Sequence, residues 1–195
     1  IGVGASISAT NDESLRARIK DNHSPTHLIH EVHRRVPTQQ IQQKGSLVDA
    51  DKMRFDFSHT QSLSADELSR VSQLVNEQIR HNSEVLTQEM EMDAAIEAGA
   101  TALFGEKYGD AVRVLTMGSE RFSVELCGGT HVARTGDIGV FRILNESGVA
   151  AGVRRIEAVT GIGALSDIAK VDKVVADICD VVKSSAENAV DKVTS

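Results

Sequence analysis

Met53, Phe55 and Phe57 alternate with Arg54, Asp56 and Ser58, the period-two pattern of a strand with one face buried. The run 45–48 precedes it across the polar turn Asp49-Ala50-Asp51, so 45–48 and 52–58 are expected to form a hairpin. The period then changes. Ser64 with Glu67 three residues later is a capping box, and Leu68, Val71, Leu74, Val75 and Ile79 recur at helical spacing, which predicts a long amphipathic helix ending near His81. Upstream, the charged run from Asn11 suggests helix. Ser24-Pro25 reads as a second helix start, because proline at the first helical position sacrifices no hydrogen bond, and a helix over 25–36 is expected. Downstream, 85–92 reads as a strand and 93–100 as a short Ala-rich helix. The runs 112–117 and 121–126 form a hairpin across Gly118-Ser119-Glu120 whose second strand leads straight into Cys127. Strands are also expected at 139–144 and 153–159, about the glycine-bearing turn 148–152. From Leu165 onward, Ile168, Val171, Val175, Ile178 and Val182 are spaced three and four apart between Asp and Lys residues. That is an amphipathic helix without an evident partner.

These elements predict an α+β fold, a mostly antiparallel sheet packed with helices plus a C-terminal amphipathic helix. The convincing break is at Gly161 to Gly163. The expected division is a remnant of a preceding domain or linker over 1–15, a main domain over 16–161 and a helical segment over 162–195. With 195 residues, 41% of them hydrophobic, the chain can bury one sizeable core. No apolar stretch is long enough to span or target a membrane. Two cysteines, Cys127 and Cys179, make no disulfide framework and fit a reducing, cytoplasmic setting. A net charge of -7 argues against holding nucleic acid by bulk attraction, since counterion release needs many cations facing phosphates. Local clusters remain at Arg16, Arg18 and Lys20, at Arg34 and Arg35, and at Arg154 and Arg155. Each is also readable as a solvated face.

The chemistry concentrates in two pairs. His23 and His27 are four residues apart, and on a helix their Cβ atoms sit roughly 5–6 Å apart on one face, close enough to share a metal ion. Cys127 and His131 repeat that offset within Cys-Gly-Gly-Thr-His, a loop flexible enough to wrap an ion. Three imidazoles and a thiolate make a borderline-soft donor set suited to zinc. The bland alternatives are a surface histidine pair at a helix start, a buried structural thiol, or Cys127 as a nucleophile with His131 as its base. The nucleophile reading leaves His23 and His27 unexplained. His30-Glu31-Val32-His33 has one residue too few for a helix-borne metalloprotease motif. His30 and His33 are therefore expected to face solvent or to be satisfied by neighbours, and His59 and His81 carry no motif.

Together, His23-Ser-Pro-Thr-His27, Gln43-Lys-Gly45, Arg54-Phe-Asp-Phe-Ser-His59, Cys127-Gly-Gly-Thr-His131 and Gly152-Val-Arg-Arg-Ile-Glu-Ala-Val-Thr160 resemble the editing domain of bacterial alanyl-tRNA synthetases, over about residues 16–161. The threonyl enzymes have a similar domain whose loop reads Cys-x-Gly-Pro-His, so Gly-Gly-Thr between Cys127 and His131 favours the alanine branch. The resemblance implies zinc-dependent deacylation of tRNA(Ala) wrongly charged with serine or glycine. His23, His27, Cys127 and His131 would be the metal ligands, Thr26 and Gln43 would contact substrate with Cys127 at the reacting centre, and Arg154 would meet tRNA. Pro25 stands where the family has a small residue, and would remove a backbone hydrogen bond if the helix already runs through His23; His33 and Pro37 interrupt a helix that is normally more apolar. The aminoacylation module is absent from this sequence, so an excised fragment or a stand-alone relative is expected, and the segment after Gly161 favours the fragment. A reading from another class is a zinc-stabilised RNA-binding module without hydrolytic activity. For the C-terminal helix, self-association stands beside a solvent-exposed tail.

Overall fold

The computed structural model describes residues 6–8, 10–35, 41–102 and 109–194. The first element is one helix, α1, Glu13–Arg35, where the sequence suggested a second start at Ser24-Pro25. Asp12 begins it, its carboxylate accepting from the Leu15 amide (3.0 Å) and the Ser14 hydroxyl (2.8 Å). Pro25 therefore lies inside the helix, where its missing N–H leaves the turn one bond short. The neighbouring Ser24 hydroxyl donates to the Lys20 carbonyl (2.9 Å) and accepts from the Val132 amide (3.1 Å). Burial of Leu28, Ile29 and Val32, at roughly 1.5–3 kcal/mol for each side chain removed from water, outweighs the proline penalty of ~3 kcal/mol. Val36 and Pro37, at the expected end of this helix, lie outside the described residues.

The hairpin follows as β1, Gln43–Val48, and β2, Met53–Ser58. Met53, Phe55 and Phe57 are fully buried, as their alternation requires. Helix α2, Ala65–Arg80, carries the expected capping box, with the Glu67 amide donating to the Ser64 hydroxyl (3.2 Å) and the Ser64 amide to the Glu67 carboxylate (2.7 Å). Strand β3, Leu86–Glu91, a short α3, Met92–Glu97, and the pair β4, Ala111–Met117, and β5, Ser123–Leu126, come next. They are followed by β6, Phe141–Ala150, and β7, Val153–Thr160. β6 runs well past the expected strand end at Leu144, so the reversal narrows to Ala151 and Gly152, with Gly152 at φ 68°.

Two antiparallel sheets result, one in the order β1-β2-β7-β6 and the other β3-β4-β5, confirming the α+β class. The larger sheet packs Phe55, Phe57, Phe141 and Ile156 against α1 and α2, whose Leu28, Ile29, Val71, Val75 and Ile79 complete the core. Helix α4, Gly161–Val182, leaves β7 directly, and an ion pair from Arg142 on β6 to Asp167 (2.6 Å) ties its first half to the sheet. Ala164 is its buried residue, while Val174, Ile178 and Val181 are exposed. Lys183, at φ 51°, ends it, and a short α5, Ala189–Thr194, follows.

Candidate metal centre

Helix α1 presents His23 and His27 one turn apart, and β5 delivers Cys127 opposite them. The Cys127 amide donates to the Arg113 carbonyl (3.0 Å). The Arg113 guanidinium folds the glycine loop back by donating to the carbonyls of Gly128 (3.2 Å) and Gly129 (2.5 Å). Gly129 is there for space: a Cβ on it would overlap the His23 ring. Because the Val132 amide is held by Ser24 on α1, His131 also turns toward the helix.

The four ligand atoms lie within 4.8 Å of one another. His27 Nε2 is 3.1 Å from His131 Nε2, and Cys127 Sγ is 3.6 Å from His131 Nε2 and 3.8 Å from His23 Nε2. All three imidazoles therefore turn Nε2 inward, and their outer nitrogens differ. His23 Nδ1–H donates to the Thr130 carbonyl (3.2 Å), His27 Nδ1–H to the Glu125 carboxylate (2.5 Å), and His131 Nδ1 is buried without a hydrogen-bond partner.

The electrostatics match a cation site. Burial raises the Cys127 thiol, but contacts from His131, His23 and His27 outweigh it and pull the group down to about 3, so it is a thiolate. Burial opposes charge on His27, yet Glu125 and that thiolate push its pKa up to about 10. His131 is held down at about 4, chiefly by burial and by repulsion from His27 and His23. Glu125 stays ionised although burial opposes it, because His27 and His30 donate to it. Two anions thus surround one shared positive charge, a setting that a divalent ion between the inward-facing atoms would complete.

The structure brings together His23, His27, Cys127 and His131, the set expected from the sequence. Thr26 precedes His27 on α1 and is buried, its hydroxyl donating to the His23 carbonyl (2.7 Å). Gln43 begins β1, half-buried at a bulge opposite Phe57. Arg154 and Arg155 point to opposite faces of β7, and both meet carboxylates: Arg154 grips Glu146 on β6 (2.5 and 2.6 Å), and Arg155 grips Asp56 on β2 (2.7 and 2.8 Å). Sequence reasoning missed Glu125, although it lies two residues before Cys127 on a strand and so shares its face. His30, three residues after His27, shares that histidine's helical face, and its Nδ1–H donates to Glu125 (2.7 Å). His33 is buried, stacked on Phe57 with ring centroids 5.0 Å apart.

A helix-borne histidine pair facing a cysteine–histidine loop on a small antiparallel α+β frame defines a class that the sequence comparisons identify. Residues 112–157, from β4 into β7, match the family model of the threonyl and alanyl tRNA synthetase second additional domain. The chain is thus related to the alanyl-tRNA synthetases. Over 195 residues it is 50% identical to the alanine–tRNA ligases of Pseudomonas syringae pv. syringae (strain B728a) and Pseudomonas savastanoi pv. phaseolicola (strain 1448A / Race 6). Over 193 residues it is 51% identical to that of Dichelobacter nodosus (strain VCS1703A). The alignments cover 99–100% of this chain and 22% of each ligase. No helix among the described residues is long and apolar enough to cross a membrane.

Proposed function

We propose that this chain hydrolyses mischarged tRNA(Ala), releasing serine or glycine at a zinc centre held by His23, His27, Cys127 and His131, as part of a longer alanine–tRNA ligase. The observation that carries the reading is the convergence of four ligand atoms within 4.8 Å. Tetrahedral zinc, with nitrogen at about 2.0–2.1 Å and sulfur at about 2.3 Å, sets its ligand atoms roughly 3.3–3.6 Å apart. Three of the six separations, 3.1, 3.6 and 3.8 Å, lie close to that, and all six are within 4.8 Å. A zinc ion there would supply a fixed positive charge and Lewis acidity toward the ester.

The reaction breaks the bond between the aminoacyl carbonyl carbon and the ribose oxygen. A water oxygen forms the new bond to that carbon, and the ribose oxygen leaves as a hydroxyl carrying a proton. This chain's residues would orient the ester for that exchange. Thr26, one residue before His27, would offer its hydroxyl lone pairs to the substrate, since its proton is committed to the His23 carbonyl. Gln43 would bring an amide donor and acceptor to the aminoacyl or ribose end. Serine carries a hydroxyl that alanine lacks, and a site that hydrogen-bonds it binds the correctly charged alanyl ester less well. Arg154 would reach a tRNA phosphate only by sharing its guanidinium with Glu146. A chain working on tRNA with a reduced thiolate belongs in the cytoplasm.

The test is release of serine from seryl-tRNA(Ala) by wild type and Cys127→Ala. Loss of turnover in the variant is expected, and equal turnover would defeat the mechanism. Four protein ligands also suit a purely structural zinc in an RNA-binding module. Chelation separates the two readings: unfolding on zinc removal favours the module, whereas loss of turnover with the fold retained favours the deacylase.

A further inference from the structure

Among the described residues, Glu125 is the carboxylate hydrogen-bonded to the cluster from behind, and it is shared. It is 1% exposed, and each of its oxygens accepts from a different imidazole: Oε2 from His27 Nδ1–H at 2.5 Å and Oε1 from His30 Nδ1–H at 2.7 Å. His27 and His30 are three residues apart on α1, so both rings reach the same strand residue from one helical face. His30 does not belong to the four-residue cluster and is itself buried.

We propose that His30 is a positioning residue for the metal centre: by holding the second oxygen of Glu125 it fixes that carboxylate against His27 and so fixes the direction in which His27 presents Nε2. The inference deepens the metal reading above and rests on it. A carboxylate held by one hydrogen bond can swivel about its terminal torsion, which is broad and weakly restrained. Held by two nitrogens at defined points it cannot, and the ring that donates to Oε2 is then fixed in plane and in tautomer. His27 Nδ1 must carry the proton, since an ionised carboxylate only accepts, which commits Nε2 to the inner side. A metal ligand oriented in this way by an outer carboxylate binds more tightly. Here the orienting carboxylate needs an orienting group of its own, because it is cut off from water. His30 supplies it from the same helix that carries His23 and His27, so the distance between brace and ligand is set by helical geometry and not by a loop.

The experiment uses the 195-residue chain in three forms: wild type, His30→Leu, which removes the donor, and His30→Asn, whose amide can donate from near the Nδ1 position. Zinc affinity is measured by competition with a chromogenic chelator. His30→Leu is expected to weaken binding about tenfold or more, with His30→Asn within about twofold of wild type. Equal affinity in all three forms, or equal losses in the two variants, overturns the proposal, because a packing role does not distinguish Asn from Leu in this way. The brace is read separately from the metal by the His27 Nδ1 proton in NMR spectra. A downfield, slowly exchanging signal is expected in wild type and His30→Asn, and faster exchange in His30→Leu. An unchanged signal in His30→Leu overturns the proposal. A wild type that shows the signal and its loss in His30→Leu, yet binds no zinc, overturns the metal reading and leaves the brace standing.

Discussion

Replacing Gly129 by alanine tests the geometry of the centre with one methyl group. The new Cβ would overlap His23 Cε1, and would sit 2.9 Å from Nδ1 and 3.4 Å from Nε2 of the same ring. Relief requires the imidazole to retreat on the order of 1 Å, whereas metal–ligand distances tolerate about 0.2 Å. The loop cannot yield instead without cost, because Arg113 holds the carbonyls of Gly128 and Gly129 and Thr130 is bonded to His23. Gly129 is also not among the glycines with positive φ, so alanine adds no backbone strain and the effect is a contact effect alone. Displacing one of four ligands should weaken zinc binding by about 10–100-fold, or ~1.4–2.8 kcal/mol, and lower seryl-tRNA(Ala) deacylation in step. Gly128→Ala is the internal control, since a Cβ there meets nothing within 4 Å. Chelator competition on both variants gives the answer. Gly128→Ala should stay within about twofold of wild type, and a Gly129→Ala chain that does the same would refute the placement of His23 over the loop.

Three further outcomes follow from the packing. Burial, then the neighbouring His30 and His59, hold His33 at about 4 against 6.5 for the free side chain; between these values the unfolded chain carries the extra proton, so stability is retained above pH 6.5 and lost as pH falls toward 4. The full loss is about 3 kcal/mol, and in urea titrations across that window His33→Phe should show a slope smaller by up to one proton; identical slopes would exclude His33 as the titrating group. Pro25→Ala restores a helix donor in α1 and should stabilise the fold by ~1–2 kcal/mol after the lost ring contacts are counted, a gain readable as a higher urea midpoint with zinc affinity kept. Ser64→Ala removes the side-chain half of the capping box, the hydroxyl that accepts from the Glu67 amide, while the backbone amide at 64 still donates to the Glu67 carboxylate, and should cost about 1 kcal/mol in the same measurement, leaving zinc affinity alone because α2 carries none of the ligands.

Much of this architecture is legible in the sequence because burial and periodicity are coupled. Met53, Phe55 and Phe57 had to face one side, and Ser64 and Glu67 had to start a helix. The metal pairs were legible for a different reason: His23 and His27, like Cys127 and His131, are four residues apart, and of the readings open to each pair, a shared metal ion is the one that uses both. Pro25 misled because its local preference for a first turn is weak beside the capping at Asp12 and the apolar face after it, so one long helix forms through it. The end of β6 was misread because Asn145, Glu146 and Ser147 look like turn residues, yet Glu146 is kept in the strand by Arg154 across the ladder. Glu125 was missed, and His30 was left between solvent and an unnamed neighbour, because each is the other's partner and the two lie about a hundred residues apart in the chain.

That distance explains why the centre depends on register as much as on ligand identity. His23, His27 and His30 follow one another at offsets of four and three along one face of α1, and Cys127, directly after the end of β5, follows Glu125 on that strand at an offset of two. Two ladders with periods of about 3.6 and 2 residues meet so that the helix supplies imidazoles at the heights where the strand supplies a carboxylate and a thiolate. Sliding β5 by one residue against β4 would keep every backbone bond in kind while turning Glu125 and Cys127 to the opposite face. The pairs Val114 with Leu126 and Thr116 with Val124 hold the register because Val114 and Leu126 are buried in a small core with Ala95 and Val112. That satellite core contributes no ligand, yet it determines which face of β5 the helix meets.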